Sequence, residues 1–214
     1  EFGRLGSRDG EFYFPVSIAI AEDGRVYVAD AWNARIQIFD TDGRHLNTFS
    51  VFSHDLAQTP IAIAIDPQNR LAVLYSIYFE GATERELGLR FFNLDGGPLF
   101  DFAMPSSSAH TIDHAGDISF DAQGNLYLAN SNAYANSTIK AQLHPPILKV
   151  SADFAGVQAF YMTGQTDFSD PYSAEGIAVD ATGNIWFTAR SGKVNVISST
   201  GSMIMTFGAY GTGN

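Results

Sequence analysis

Apolar and polar positions alternate along this chain in short runs, broken at close intervals by Gly, Asn and Asp. Four runs can be laid over one another: Ile18-Ala19-Ile20, Ile63-Ala64-Ile65, Ile118-Ser119-Phe120 and Ile177-Ala178-Val179. They recur every 45 to 60 residues or so, near the period of a propeller blade. Each is followed by a tight polar turn and a second apolar run. Examples are Glu22-Asp23-Gly24-Arg25 before Val26-Tyr27-Val28, and Ala181-Thr182-Gly183-Asn184 before Ile185-Trp186-Phe187. Gly or Asn stands where a hairpin needs positive φ. Third and fourth runs follow, as in Ile36 to Phe39 and His45 to Phe49, or Val194 to Ile197 and Met203 to Phe207. Period-2 runs with regular turn signals predict an all-β chain. A four-stranded unit cannot bury both apolar faces alone, so the copies must stack, which predicts a β-propeller of four-stranded antiparallel blades. The expected blades are about 12–49, 60–102, 115–154 and 174–207 within a single domain 1–214, with 208–214 opening a further linker.

Composition narrows the function classes. The chain has 214 residues, 45% of them hydrophobic, but its apolar runs are strand-sized, so no membrane-inserted helix is expected. A formal charge of −11 with only twelve Lys and Arg argues against nucleic acid, whose phosphates need clustered cations. No cysteine is present, which removes disulfides, zinc thiolates and thiol catalysis and suits export. The expected placement is extracytoplasmic: secreted, periplasmic or at the cell surface.

The first copy carries a resemblance. Phe14-Pro15-Val16-Ser17-Ile18-Ala19-Ile20, then Gly24 to Asp40 with Asp30-Ala31-Trp32-Asn33-Ala34-Arg35, resembles the NHL repeat almost position for position. Phe2-Gly3 to Phe12 resembles that family's inter-blade linker. The other copies replace the Asp-x-x-Asn-x-Arg segment with Tyr75-Ser76, Ala129-Asn130 and Ala189-Arg190. The resemblance implies a six-bladed ring of which four blades lie in this chain. Further blades or a neighbouring subunit would then cover the open edges.

Strand alternation sorts the connections. The first-to-second and third-to-fourth turns share one end of each blade and are uniformly tight. The longer loops, 76–88 and 131–146, and the linkers share the other end, where binding groups can vary without disturbing the core. This face is expected to bind a protein partner, with Trp32, Tyr78, Phe79, His110, His114 and Tyr134 as contact residues. The chain is read as a non-catalytic scaffold with no cofactor. Asp30, Asn33 and Arg35 also have a structural reading, in which Arg35 pairs with Asp30.

The alternative is a divalent-metal hydrolase or lyase. Glu175-Gly176-Ile177-Ala178-Val179-Asp180 resembles the opening strand of gluconolactonase-like propellers, where that Glu holds a metal. The resemblance would enlist Glu175 with Asn130 and Asp30, and His114 would be the added histidine, from the His110 to His114 run. Surface linkers are polar by default, so the same residues also suit a solvated loop. The amidating lyases need several channel-facing histidines that this chain does not match.

Overall fold

The computed structural model describes residues 2–51, 57–78, 86–102, 104, 115–130, 146–160, 174–189 and 192–208, apart from the side chains of Ala57 and Tyr78. Two compact units divide the chain, residues 1–104 and 105–214. The N-terminal unit holds two antiparallel sheets. One runs β1 (Pro15–Ile20), β2 (Val26–Asp30), β3 (Arg35–Phe39), β4 (His45–Ser50), and the other β5 (Ala57–Ile65), β6 (Arg70–Tyr78), β7 (Glu86–Asn93), β8 (Pro98–Phe102). The C-terminal unit repeats the plan. Its sheets are β9 (Ala115–Phe120), β10 (Leu126–Asn130), β11 (Ile147–Val150), β12 (Val157–Phe160), and β13 (Ala174–Val179), β14 (Ile185–Ala189), β15 (Val194–Ile197), β16 (Met203–Phe207). The helical element among the described residues is a 3-10 turn, Ala31–Asn33.

Every sheet is a meander with strands in sequence order, as the tight turns require. In three of the four sheets the first turn is clamped by an acid one residue beyond the strand, and in the first sheet, where Ala21 stands at that place, Asp23 accepts the Arg25 N–H from within the turn. Asp66 accepts from the backbone N–H groups of Gln68 and Arg70, Asp121 from those of Gln123 and Asn125, and Asp180 from those of Thr182 and Asn184. This Asx geometry substitutes for backbone partners the hairpin cannot supply. The third sheet differs from expectation at its end. Its fourth strand is Val157–Phe160, past the expected boundary at 154, because the Ser151 to Gly156 turn precedes the strand rather than closing the blade.

Within the N-terminal unit the two sheets pack face to face. Tyr27, Ala29, Ile36 and Ile38 of the first meet Ile63, Leu71, Val73 and Phe92 of the second. In the C-terminal unit Tyr127, Ala129, Ile147 and Phe160 meet Ile177, Ile185, Phe187 and Ile197. Polar stitches reinforce both contacts at equivalent places. The Ser17 hydroxyl accepts the Ile63 N–H at 3.1 Å, and the Asp117 carboxylate accepts the Ile177 N–H at 3.0 Å. Burial pushes the Asp117 carboxyl up, against the lowering effect of the N–H groups of Ile177 and Ile118.

Registers show that each first strand carries one extra residue near its start. The irregularity falls between Pro15 and Ser17, Pro60 and Ala62, opposite Ala129 and Asn130, and between Ala174 and Ile177. The bulge positions are therefore Val16, Ile61, Gly116 and, in the last sheet, the Glu175-Gly176 pair, of which Glu175 aligns with the other three. A bulge re-aims its side chain out of the sheet's alternation, and this happens at the end that carries the long loops.

Where the first sheet pairs Asp30 with Arg35, the second pairs Tyr75 with Gly88. The Tyr75 ring lies where a Gly88 Cβ would stand, with its hydroxyl oxygen at 2.5 Å from that point. Gly88→Ala is expected to destabilise the unit by about 1–3 kcal/mol through overpacking. A urea titration with unchanged midpoint would contradict that.

Candidate functional site

The loop-bearing end of the N-terminal unit is built from Tyr13, Phe14, the 3-10 turn and the starts of β1 and β5. Asp30 organises it from below. Its carboxylate is fully buried and accepts from the Tyr13 N–H at 2.7 Å, Asn33 Nδ2 at 2.8 Å, Arg35 Nε at 2.8 Å and Gln37 Nε2 at 3.1 Å. Arg35 spends the rest of its guanidinium on the linker, donating to the carbonyls of Ser7, Arg8 and Glu11 at 2.8 Å each. Asn33 reaches the Gly6 carbonyl, and Gln37 both donates to the Glu11 carbonyl and accepts the Gly10 N–H. The Asp-x-x-Asn-x-Arg segment thus ties residues 6–13 onto the first sheet. With four donors already on its two oxygens, Asp30 is occupied as an internal acceptor.

The fastening places three rings at the surface. The Trp32 N–H bonds the Tyr13 carbonyl and the Ala31 N–H bonds the Phe14 carbonyl. Phe14 takes φ +60°, which is uncommon for a bulky residue and costs backbone strain. As a result Phe14 stacks on Trp32 at 5.3 Å and 26°, while Tyr13 meets it edge-on at 4.7 Å and 85°. Trp32 and Phe14 each remain 60% exposed. Beside them lies a cleft of about 310 Å³, lined by Phe14, Val16, Trp32, Pro60, Ile61 and Ser76 with Ala31 and Thr59. Two of these, Val16 and Ile61, are the bulge residues of β1 and β5.

The sequence-derived contact residues are distributed unevenly. Trp32 is at the cleft, and Tyr78 ends β6 in the same unit. Phe79, His110, His114 and Tyr134 lie outside the described residues, as do most of the loops 76–88 and 131–146. In the C-terminal unit Asn130 is buried at the end of β10, in the place that Asp30 holds in the first sheet. Glu175 sits half-buried at the bulge of β13. Among the described residues no three His, Asp or Glu side chains come together as a metal-binding group. Sequence reasoning did not find Phe14, Val16, Pro60, Ile61 and Ser76 as one surface. Each is an ordinary residue of a strand start, and the cleft arises only when two strand starts are bulged and stacked.

The NHL repeat model matches residues 12–39, the span that runs from the linker through β3. Residues 12–39 are an NHL repeat. The chain is also similar to curated proteins of Caenorhabditis elegans. Protein lin-41 is 50% identical over 46 residues, 22% of this chain and 4% of that protein. RING finger protein nhl-1 is 32% identical over 75 residues, 35% of this chain and 8% of that protein. The matches thus span less than a tenth of these relatives. The matched span includes Asp30, Asn33 and Arg35, which clamp the linker.

Solved structures extend the likeness to nearly the whole chain. The gluconolactonase XC5397 from Xanthomonas campestris superposes with TM-score 0.66 at 15% identity, covering 93% of this chain and 63% of that one. A streptogramin B lyase does so with TM-score 0.56 at 17% identity, covering 92% and 55%. At such identities the likeness shows the fold alone: four-stranded antiparallel blades of a β-propeller, following from the NHL repeat to the last sheet.

Proposed function

We propose that this chain is a non-catalytic propeller scaffold that binds a protein partner through the face carrying the inter-blade linkers and long loops. The observation that carries this reading is the Tyr13–Phe14–Trp32 cluster. A strained backbone and two carbonyl–amide bonds hold three aromatic rings at the surface, and the fold itself has no use for their exposure. Large aromatic anchors held rigidly beside a cleft are the composition of binding hot spots. The charge of −11 favours a protein over a nucleic acid. No cofactor enters the reading, and an extracytoplasmic setting is part of it.

Two apolar edges support covering by further blades or a neighbouring subunit. Ile18 and Ile20 of β1 are 64% and 67% exposed, and Met203, Ile204, Met205 and Phe207 of β16 are exposed as well. Apolar surface of this kind on a sheet marks a contact.

The test is affinity capture with the wild-type chain and with Trp32→Ala. A specific protein retained by the first and lost from the second supports the scaffold. The variant should keep its unfolding midpoint to within about 0.5 kcal/mol, as surface substitutions do. Retention of the same proteins by both would remove the loop-bearing face from the function. Metal-dependent lactone or ester hydrolysis lost on Glu175→Ala would overturn the non-catalytic reading.

A further inference from the structure

We infer that the cleft beside Trp32 takes an extended, proline-containing segment of the partner, flanked by basic residues. This deepens the scaffold reading and rests on it. The aromatic lining of the cleft is Phe14 and Trp32, and β5 adds Pro60 and Ile61. The Trp32 ring is held from one side by Phe14 and at its edge by Tyr13, so it offers a flat apolar surface without losing rotamer freedom on binding. The bulges of β1 and β5 turn Val16 and Ile61 toward the cleft. Their counterparts in the C-terminal unit are Gly116 and Glu175, so the apolar pair is not repeated there.

The chemistry of the lining selects the occupant. Among the described residues no charged side chain lines the cleft, so an ion drawn into it would go unpaired there. The polar side chains present are the hydroxyls of Thr59 and Ser76. Ser76 is 2% exposed, and its hydroxyl makes no hydrogen bond among the described residues, which leaves it for a ligand carbonyl. An ordinary peptide would bury backbone N–H groups for which this lining has few acceptors. Proline has no N–H to orphan, and a polyproline II segment arrives already extended, with its carbonyls turned outward. Aromatic-lined grooves recognise such segments through these properties. A volume of about 310 Å³ lies at the small end of ligand pockets, which suits one or two side chains of a longer segment. Outside the cleft the charge of −11 attracts cations, so arginine or lysine beside the proline gains from the surrounding field.

The probe is a short synthetic peptide of alternating arginine and proline, titrated into the isotopically labelled chain. The two tryptophans, Trp32 and Trp186, provide two indole N–H signals, assigned with Trp32→Phe. The expected result is a saturable shift of the Trp32 signal with Trp186 unmoved. Affinity should fall at least tenfold, or about 1.4 kcal/mol, on replacing every proline by alanine. It should fall similarly with Trp32→Ala or Val16→Lys. Equal binding of the alanine peptide would overturn the inference, since charge alone would then explain it. So would a Trp32 shift produced by a neutral oligosaccharide or by oligouridylate and not by the proline peptide. If the peptide fails while the captured protein still depends on Trp32, the scaffold reading stands and the proline segment is wrong.

Discussion

Asp30→Ala is expected to destabilise the N-terminal unit by about 3–5 kcal/mol, the cost of removing one partner from a buried ion pair. The magnitude follows from what is left behind. Arg35 has a side chain only 12% exposed and faces the vacated carboxylate, while Asn33, Gln37 and the Tyr13 N–H lose their common acceptor. The loss should also be directional. Residues 6–13 are held by Arg35, Asn33 and Gln37, so trypsin should cut at Arg8 in the variant before the rest of the unit opens. Arg35→Lys separates the charge from the geometry. A lysine keeps the attraction to Asp30 but cannot reach three linker carbonyls with one ammonium. It should therefore release the linker at a smaller cost in stability. Asp30→Ala with an unchanged urea midpoint and intact Arg8 would overturn the clamp.

Tyr27 carries the second large effect. It is fully buried between the two sheets of the N-terminal unit, and its hydroxyl donates to the Leu94 carbonyl at 2.7 Å. Tyr27→Ala opens a cavity the size of a ring and is expected to cost about 3–5 kcal/mol. Tyr27→Phe keeps the ring and leaves the carbonyl without this donor, for about 1 kcal/mol. Burial raises the Tyr27 phenol to about 12, against the lowering influence of Arg25. The folded state thus holds this proton more tightly than the unfolded chain, whose tyrosines titrate near 10. The contribution is complete below about pH 10 and is lost as pH climbs towards 12. Burial also raises Tyr75 and Tyr127, so the alkaline loss has several sources. The Phe variant should lose less stability than wild type between pH 10 and 12, measured by denaturant titration at each pH. Parallel curves for the two proteins would show that Tyr27 does not titrate with unfolding.

How far these features could be read beforehand differs with their range along the chain. The strand repeats, the tight turns with Gly24 or Gly183, and the pairing of Arg35 with Asp30 are local: each is set by residues within one copy, and periodicity exposes it. Tyr27, Tyr127 and Phe187 are each covered by the neighbouring sheet of their own unit. Trp186, beside Phe187 on β14, turns to its own sheet instead. Its indole nitrogen donates to Asp180 at 2.9 Å and its ring meets Phe207 of its own sheet, so it serves the hairpin more than the neighbouring blade. The closing strand of the third sheet, Val157–Phe160, was obscured because its turn has Phe154 at φ +59° where the other three third turns have Gly43, Gly96 and Gly201.

The order of strands and their meander pairing were determined by the sequence alone, because alternation and turn chemistry act over a few residues. The NHL resemblance of the first copy was equally legible there. Tertiary structure decided what the signature residues do. Asn33 and Arg35 donate to carbonyls more than twenty residues away in the linker, and Asp30 accepts the Tyr13 N–H, a geometry that no spacing encodes. It also decided the cleft. One extra residue in each of two strands moves Val16 and Ile61 out of register, and only stacking of those strands brings them beside Trp32. A bulge is invisible to periodicity because it is a single-residue slip, and a slip has meaning only against the partner strand that keeps its register.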